Sequence, residues 1–579
     1  MRQNLTQRLR NLERCRHCYG KGCSEQVEKL LGSFQNTNFH DAESLIRLHD
    51  LLLFLRAFPQ SAKVAGLAEM LLAGVSGQVA QLRKHGAALE PFDDEQFSGV
   101  ANTLIRDTFT YEVARWLVRQ YPQQISVDWN IEEQSRQMAV SFSSLLPLLA
   151  DDCMVEADTP YVDWLANAAG GTDHILPWLL QRVEALSLSI LQKTAFYDAL
   201  RIGLSWELGE SSASRTCARR NPRRMYYHRE PLVRRNQVSL ADELSSAALP
   251  VRKLSRRDGE ELLDTVRDAI TVRYRELYGT TRGDPASVVQ ANAGRGVQIF
   301  LWGLPPERRL PLRAYHAGIT FKNGVPINYI EGISLFEWME VGFNTFYAFR
   351  EGETAWIYSK VLHFLHQITG VTCFSVYPYQ LGHGNQEAIK SGAFWFYRKL
   401  GFWPGRPELL SITQREEAKM ARDPAHRTSA GTLRKLAAHH VFYEFGEAPR
   451  GLWNTFSTRN IGFAVGRRMA SRFKRDLDKM CETAVASISQ ILGLDPENLD
   501  VLERSAFTEF AILLSLVPDL KRWTAAEKQA LRDIIRAKVA ADETGYLRRL
   551  QRHGTLRKAV LRLGSATDGT KERAATLKA

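Results

Sequence analysis

Cysteine is scarce in this chain, with seven residues among 579. An odd, small number in so long a chain argues against a disulfide framework and for a reducing compartment. Free thiols and a cytoplasmic location are therefore expected. Long apolar runs are lacking too. "LLLFLRAF" (51–58) and "FAILLSLV" (510–517) fall short of the ~18–20 residues that span a bilayer. They read as buried helix, and no membrane span is expected. The opening "MRQNLTQRLRNLER" has no apolar centre of the signal-peptide kind. No segment recurs at a fixed period, which excludes a solenoid. Acidic residues are fewer than basic ones, 64 against 76, and the formal net charge of +12 is modest for the length. Where the positive charge clusters therefore matters more than its total.

Hydrophobic periodicity divides the chain into four parts. Residues 1–210 read as helical. In "DAESLIRLHDLLLFLRAF" the apolar positions from Leu45 to Leu55 form a broad helical face behind Asp41 as N-cap. Residues 211–247 read as a linker, with eight arginines between Arg215 and Arg235 and Glu230 as the single acid there. Residues 248–449 read as a mixed α/β domain in the order β-α-β-β-β-β-α-β-α. Its hairpin over 313–336 turns at Asn323-Gly324, a strong turn signal. Residues 450–579 return to helix, and one of these helices starts with Thr524 as N-cap and Glu527 three residues later.

The segment "SGAFWFYRKLGFWPG" (391–405) carries four successive aromatics, Phe394 to Tyr397, and is then stopped at Gly401. A helix apolar nearly all round is buried on several sides. Just upstream, "REGETA" (350–355) stands between a strand and a helix. A glycine-containing loop there offers free N–H groups and the positive end of the helix dipole to a phosphate.

These two pieces, with "VRKLSRRDGEELLDTV" (251–266) before them, resemble the GNAT superfamily of acyl-CoA-dependent N-acyltransferases. The likeness covers about 248–405 and leaves the helical flanks unexplained. It implies a GNAT-like central domain between all-helical regions, and transfer of an acyl group from acetyl-CoA or another acyl-CoA to an amine that the sequence does not identify. It implies cofactor binding by Arg350, Gly352, Thr354 and Ala355, although Glu353 stands where the family's pattern has glycine. Tyr397 matches the tyrosine that protonates the leaving thiolate; as plain chemistry it is equally a core tyrosine with a satisfied hydroxyl. Glu340 is a candidate base, with Glu331 and His316 on neighbouring strands as further candidates. His383 and Asn385 lie in the polar loop "YQLGHGNQEA" at a strand's carboxyl end, where α/β sites gather. A non-catalytic scaffold is the alternative reading.

Three other signals stand apart. "CRHCYGKGC" (15–23) resembles one zinc repeat of the J-domain chaperones. It lacks the partner repeat, so a loop with free thiols and no metal is expected. The arginines of 215–235, mixed with Tyr226, Tyr227 and His228, suit an acidic partner or a nucleic acid. The basic stretch 546–564 suits the same partners.

Overall fold

The computed structural model describes residues 4–20, 22–130, 138, 141–154, 159–222, 224–446 and 449–565. Arg223 and the end of the predicted helical tail, 566–579, lie outside the described residues. The protein is a mixed helix-and-sheet molecule with helices at both ends of the chain. No helix among the described residues is long and apolar enough to cross a membrane.

The expectation of pure helix over 1–210 holds only for the first hundred residues. Strands β1 (Leu104–Asp107), β2 (Ile125–Val127) and β3 (Leu204–Glu207) form a small antiparallel sheet in the order β1-β3-β2. Each is three or four residues long, too short for an alternating pattern to stand out. Trp206, fully buried, anchors them to a core of their own, built from 105–213 with Val272. Residues 9–100 instead share the main core with the central sheet.

That sheet has nine strands. In chain order these are β4 (Val251–Lys253), β5 (Val289–Gly294), β6 (Val297–Trp302), β7 (Ala314–Lys322), β8 (Val325–Leu335), β9 (Trp338–Thr345), β10 (Cys373–Val376), β11 (Trp403–Pro404) and β12 (Val441–Glu444). The spatial order is β11-β12-β10-β9-β8-β7-β6-β5-β4. All neighbours are antiparallel except β9 and β10, joined by the helix Thr354–Thr369. The Asn-Gly turn is where it was expected, with Asn323 at φ 50° and Gly324 at φ 82°. Strand β5 escapes the sequence reading because "VQANAG" has few apolar residues.

The described residues of the predicted linker 211–247 are ordered and partly buried, which corrects the reading of it as a loose loop. Arg215 is buried and bonds Asp50 at 3.1 Å, and His228 is buried. The Arg220 N–H donates to Gly324 O at 2.8 Å, and Asn323 Nδ2 donates to both Tyr226 O and Ala57 O at 2.9 Å. Polar side chains satisfied by distant partners leave no periodic trace in sequence.

The helices of 458–565 pack at one end of the sheet, where β7 and β9 begin and β8 ends. Gln551 Nε2 donates to Phe336 O at 3.0 Å and Thr369 O at 3.1 Å, and Lys538 Nζ donates to Arg313 O at 2.9 Å. The N-terminal cysteine loop closes on itself. Gly20 and Gly22 at φ 112° and 83° turn the chain back, and Cys18 joins Cys23 in a disulfide while Cys15 stays free. The expectation of free thiols throughout 15–23 is corrected accordingly.

Candidate functional site

The helix Thr354–Thr369 begins where β9 ends, after the turn Tyr347–Phe349. Its N-cap, Glu353, makes no side-chain cap bond. The side chain turns inward instead and is fully buried. It accepts from Val233 N–H at 3.1 Å, pairs with Arg295, and lies 3.4 Å from Lys322 Nζ. Burial pulls the Lys322 ammonium down to about 8, against the pull of Glu353. Two cations thus hold the Glu353 carboxylate away from the helix start, while Glu351 remains in the lining there, paired with Arg16 and His17.

A cavity of about 470 Å³ opens at that helix start. Thr354, Ala355 and Phe396 form one wall, and Arg350, Arg234 and Arg235 bring positive charge. Arg234 and Arg235 are members that sequence reasoning missed, having placed them in the linker. Burial lowers the Arg235 pKa, with no carboxylate acting against the burial. Arg350 pairs with Glu387. Thr354 Oγ1 donates to Arg350 O at 3.0 Å. Glu351 pairs with Arg16 at 2.5 Å and His17 at 2.7 Å, closing the cavity with the N-terminal segment. Gly352 has a different task from the one expected. A Cβ there would lie 2.6 Å from Phe58 Cζ, so the glycine lets the N-terminal helices approach the loop.

The parallel pair next to this helix start is short. Trp338, Met339 and Glu340 pair with Cys373, Phe374 and Ser375. Beyond Glu340, β9 runs on to Thr345, while β10 stops at Val376 and turns at Pro378 into a short helix, Pro378–Leu381. The strands part, leaving backbone groups of β9 without a strand partner on that side. Gln380 reaches into the gap. Its Nε2 donates to Val341 O and its Oε1 accepts from Phe343 N–H, both at 3.4 Å. Tyr397 O–H donates to the same Oε1 at 3.2 Å.

Tyr397 lies on the short helix Ala393–Arg398, which is separated from Gln386–Ser391 by Gly392 at φ 66°. Its ring meets Tyr358 and Phe402 edge-on, each at 5.8 Å. Burial raises its pKa, so the hydroxyl is a protonated donor at neutral pH.

Side chains alternate along β9, so Glu340 faces away from Val341. Its Oε2 lies 2.7 Å from His440 Nε2, and Tyr377 stands edge-on to the His440 ring at 5.5 Å. His440 precedes β12 and carries no local sequence signal. Glu331 shares this face but accepts from Tyr315 O–H, and burial raises its pKa. His316 is buried, which lowers its pKa, beside Glu543 and Asp542 of the C-terminal helices. His383 is exposed. Asn385 caps the helix Gln386–Ser391 by accepting from Ala388 N–H at 3.1 Å. The structure therefore brings Arg350, Thr354, Ala355 and Arg235 together at the helix start, sets Tyr397 and Gln380 at the parting of β9 and β10 and Glu340 with His440 on the opposite face of β9, and leaves His383 and Asn385 aside. Among the described residues no three His, Cys, Asp or Glu side chains gather as a metal site. Comparison with protein-family models, with curated proteins and with solved structures finds no match to this chain.

Proposed function

We propose that the central sheet is a GNAT-like domain that transfers an acyl group from acyl-CoA to an amine. The observation that carries the reading is the parting of β9 and β10 beside an uncapped helix start in an arginine-lined cavity. An uncapped N-terminus with three guanidinium groups suits a pyrophosphate. The strand edge that Gln380 satisfies suits a ligand with amides of its own, since one amide already bonds Val341 O and Phe343 N–H there. Both fit coenzyme A, which when bound supplies an acyl group activated as a thioester.

The chain's own residues then divide the work. Arg350, Arg234 and Arg235 bind phosphate oxygens, and Thr354 and Ala355 are small enough to let the helix amides be approached. Tyr397, kept protonated by burial, donates a proton to a leaving thiolate. Glu340, with His440 against it, accepts a proton from the amine on the opposite face of the strand. Gln380 favours a second reading. A gap already filled by the chain's own amide suits a domain that has given up the cofactor and acts as a scaffold.

Calorimetry with acetyl-CoA and free CoA separates the two. The acyltransferase reading expects saturable binding that weakens in Arg235→Ala. Tyr397→Phe should bind as before, with turnover on a panel of amines falling by about 10²–10⁴-fold. Absence of binding at millimolar concentration leaves the scaffold standing.

A further inference from the structure

The arginines of 215–235 do not act as one patch. Arg215 and Arg219 are spent on Asp50 and Glu69, and Arg234 and Arg235 line the cavity at the helix start. Arg220, Arg224 and Arg229 do something else. They form one wall of a separate groove of about 1080 Å³ at the far edge of the sheet, opposite the β11 end. The floor is one face of β4, β5 and β6, where Arg252, Gln290 and Phe300 stand in one cross-strand row, with Asn292 opposite Gln298 beside it.

We propose that this groove binds a single-stranded nucleic acid. Four guanidinium groups, Arg220, Arg224, Arg229 and Arg252, make no ion pair with a carboxylate among the described residues, although Glu261 and Asp258 lie near enough to Arg220 to act on its charge, and Glu230 is the one acid in the lining. Every cation in the lining is arginine, the side chain that pairs bidentately with phosphate and lies flat on rings. Charge alone would equally serve an acidic peptide. The amides decide otherwise: Gln290 Oε1 accepts from Arg252 Nη2 at 3.1 Å and Asn292 Oδ1 from Gly294 N–H at 3.0 Å, which leaves their NH2 donors and the Gln298 amide to the groove, and donors and acceptors together suit base edges rather than carboxylates. Tyr227, half-buried in the wall, adds ring surface for stacking, while the Tyr226 ring is covered by Arg295 and Lys322. The wall is held in place, since Tyr226 N–H donates to Asn323 Oδ1 at 2.8 Å and Arg220 N–H to Gly324 O at 2.8 Å. A preformed groove binds without the cost of ordering the segment. The proposal does not depend on acyl transfer, because the groove shares no residue with the cavity at the helix start.

The test is fluorescence anisotropy of the full chain with a labelled single-stranded oligonucleotide, without acyl-CoA. Saturable binding is expected, with log K falling against log salt at a slope of about −3, roughly −0.7 for each of four phosphate contacts. Arg224→Glu with Arg229→Glu, both exposed, should weaken binding at least about tenfold and flatten the slope by about half. Arg252→Ala, on the edge strand, should weaken it less. Arg549→Glu with Arg552→Glu, on the basic C-terminal surface, should leave it unchanged. No saturable binding, or equal binding by the Arg224 and Arg229 double variant, overturns the proposal. So does equal affinity for duplex. Tighter binding of polyglutamate than of the oligonucleotide also overturns it and assigns the groove to an acidic protein segment.

Discussion

Single residues in this protein carry opposite kinds of burial. Glu353 is a buried carboxylate matched by two cations, so its charge is held. Asp268 is a buried carboxylate with little to match it. Burial pushes its carboxyl up to about 7 from 3.8, although Tyr121 O–H donates to it at 2.6 Å. The folded state then binds a proton that the unfolded state releases between those two values. Asp268 therefore contributes stability below about pH 4, and that contribution is lost as pH rises through about 7. Asp268→Asn keeps an acceptor for Tyr121 and removes the charge. It should be more stable than the parent by roughly 2–4 kcal/mol at pH 8, at about 1.4 kcal/mol per pKa unit, with the gap closing toward pH 4. Denaturant melts across that range check it; a gap independent of pH would mean that the carboxyl stays ionised in the fold.

Among elements, the hairpin β7–β8 does more than close the sheet. Its turn at Asn323-Gly324 is the post to which the arginine segment is tied, through Arg220 N–H on Gly324 O and both polar atoms of Asn323 on Tyr226. A Cβ at Gly324 would lie 1.9 Å from Arg220 O, at a φ of 82° that other residues avoid. Gly324→Ala should therefore cost on the order of 3 kcal/mol. It should also open 220–230 to protease before the rest of the chain. Unchanged stability and unchanged cleavage would mean that the segment is not held by the turn. The parallel pair shows the same dependence of one element on another. The gap after Glu340 exists because β10 ends at Val376 and Pro378 starts a helix, and a proline there cannot continue the strand pairing.

At the scale of the molecule, the central sheet does not stand alone. The N-terminal helices press Phe58 against Gly352, Trp453 Nε1 donates to Glu337 Oε1 at 3.1 Å, and Tyr546 O–H donates to Leu312 O at 2.5 Å. One continuous core runs from Leu9 through the sheet to Val560. A chain cut to 248–449 would expose the apolar surface that it shares with both flanks. It is expected to aggregate or to bind a hydrophobic dye without near-ultraviolet dichroism. A cut chain that melts cooperatively as a monomer would show that the flanks are additions to a self-sufficient domain.

What the sequence determined by itself is local. Strong periodicity announces the helices Ala42–Ala57 and Ala525–Val539, and the Thr524–Glu527 capping box needs only three residues of separation. Asn323-Gly324 declares its turn because its backbone angles favour those two residues. Tyr397 is legible as buried from its neighbours alone. The tertiary structure decided what depends on distant partners. The small sheet of β1–β3 stays hidden because strands of three or four residues carry no period. The order of the arginine segment comes from a turn about a hundred residues later in the chain. Glu353 points inward only because Arg295, Lys322 and Val233 converge on it, and no pattern around residue 353 encodes that. His440 meets Glu340 because β12 lies beside β10 and β10 beside β9. A carboxylate's charge and a histidine's partner are set by whatever the whole chain brings within a few ångströms, and sequence neighbours alone do not determine that.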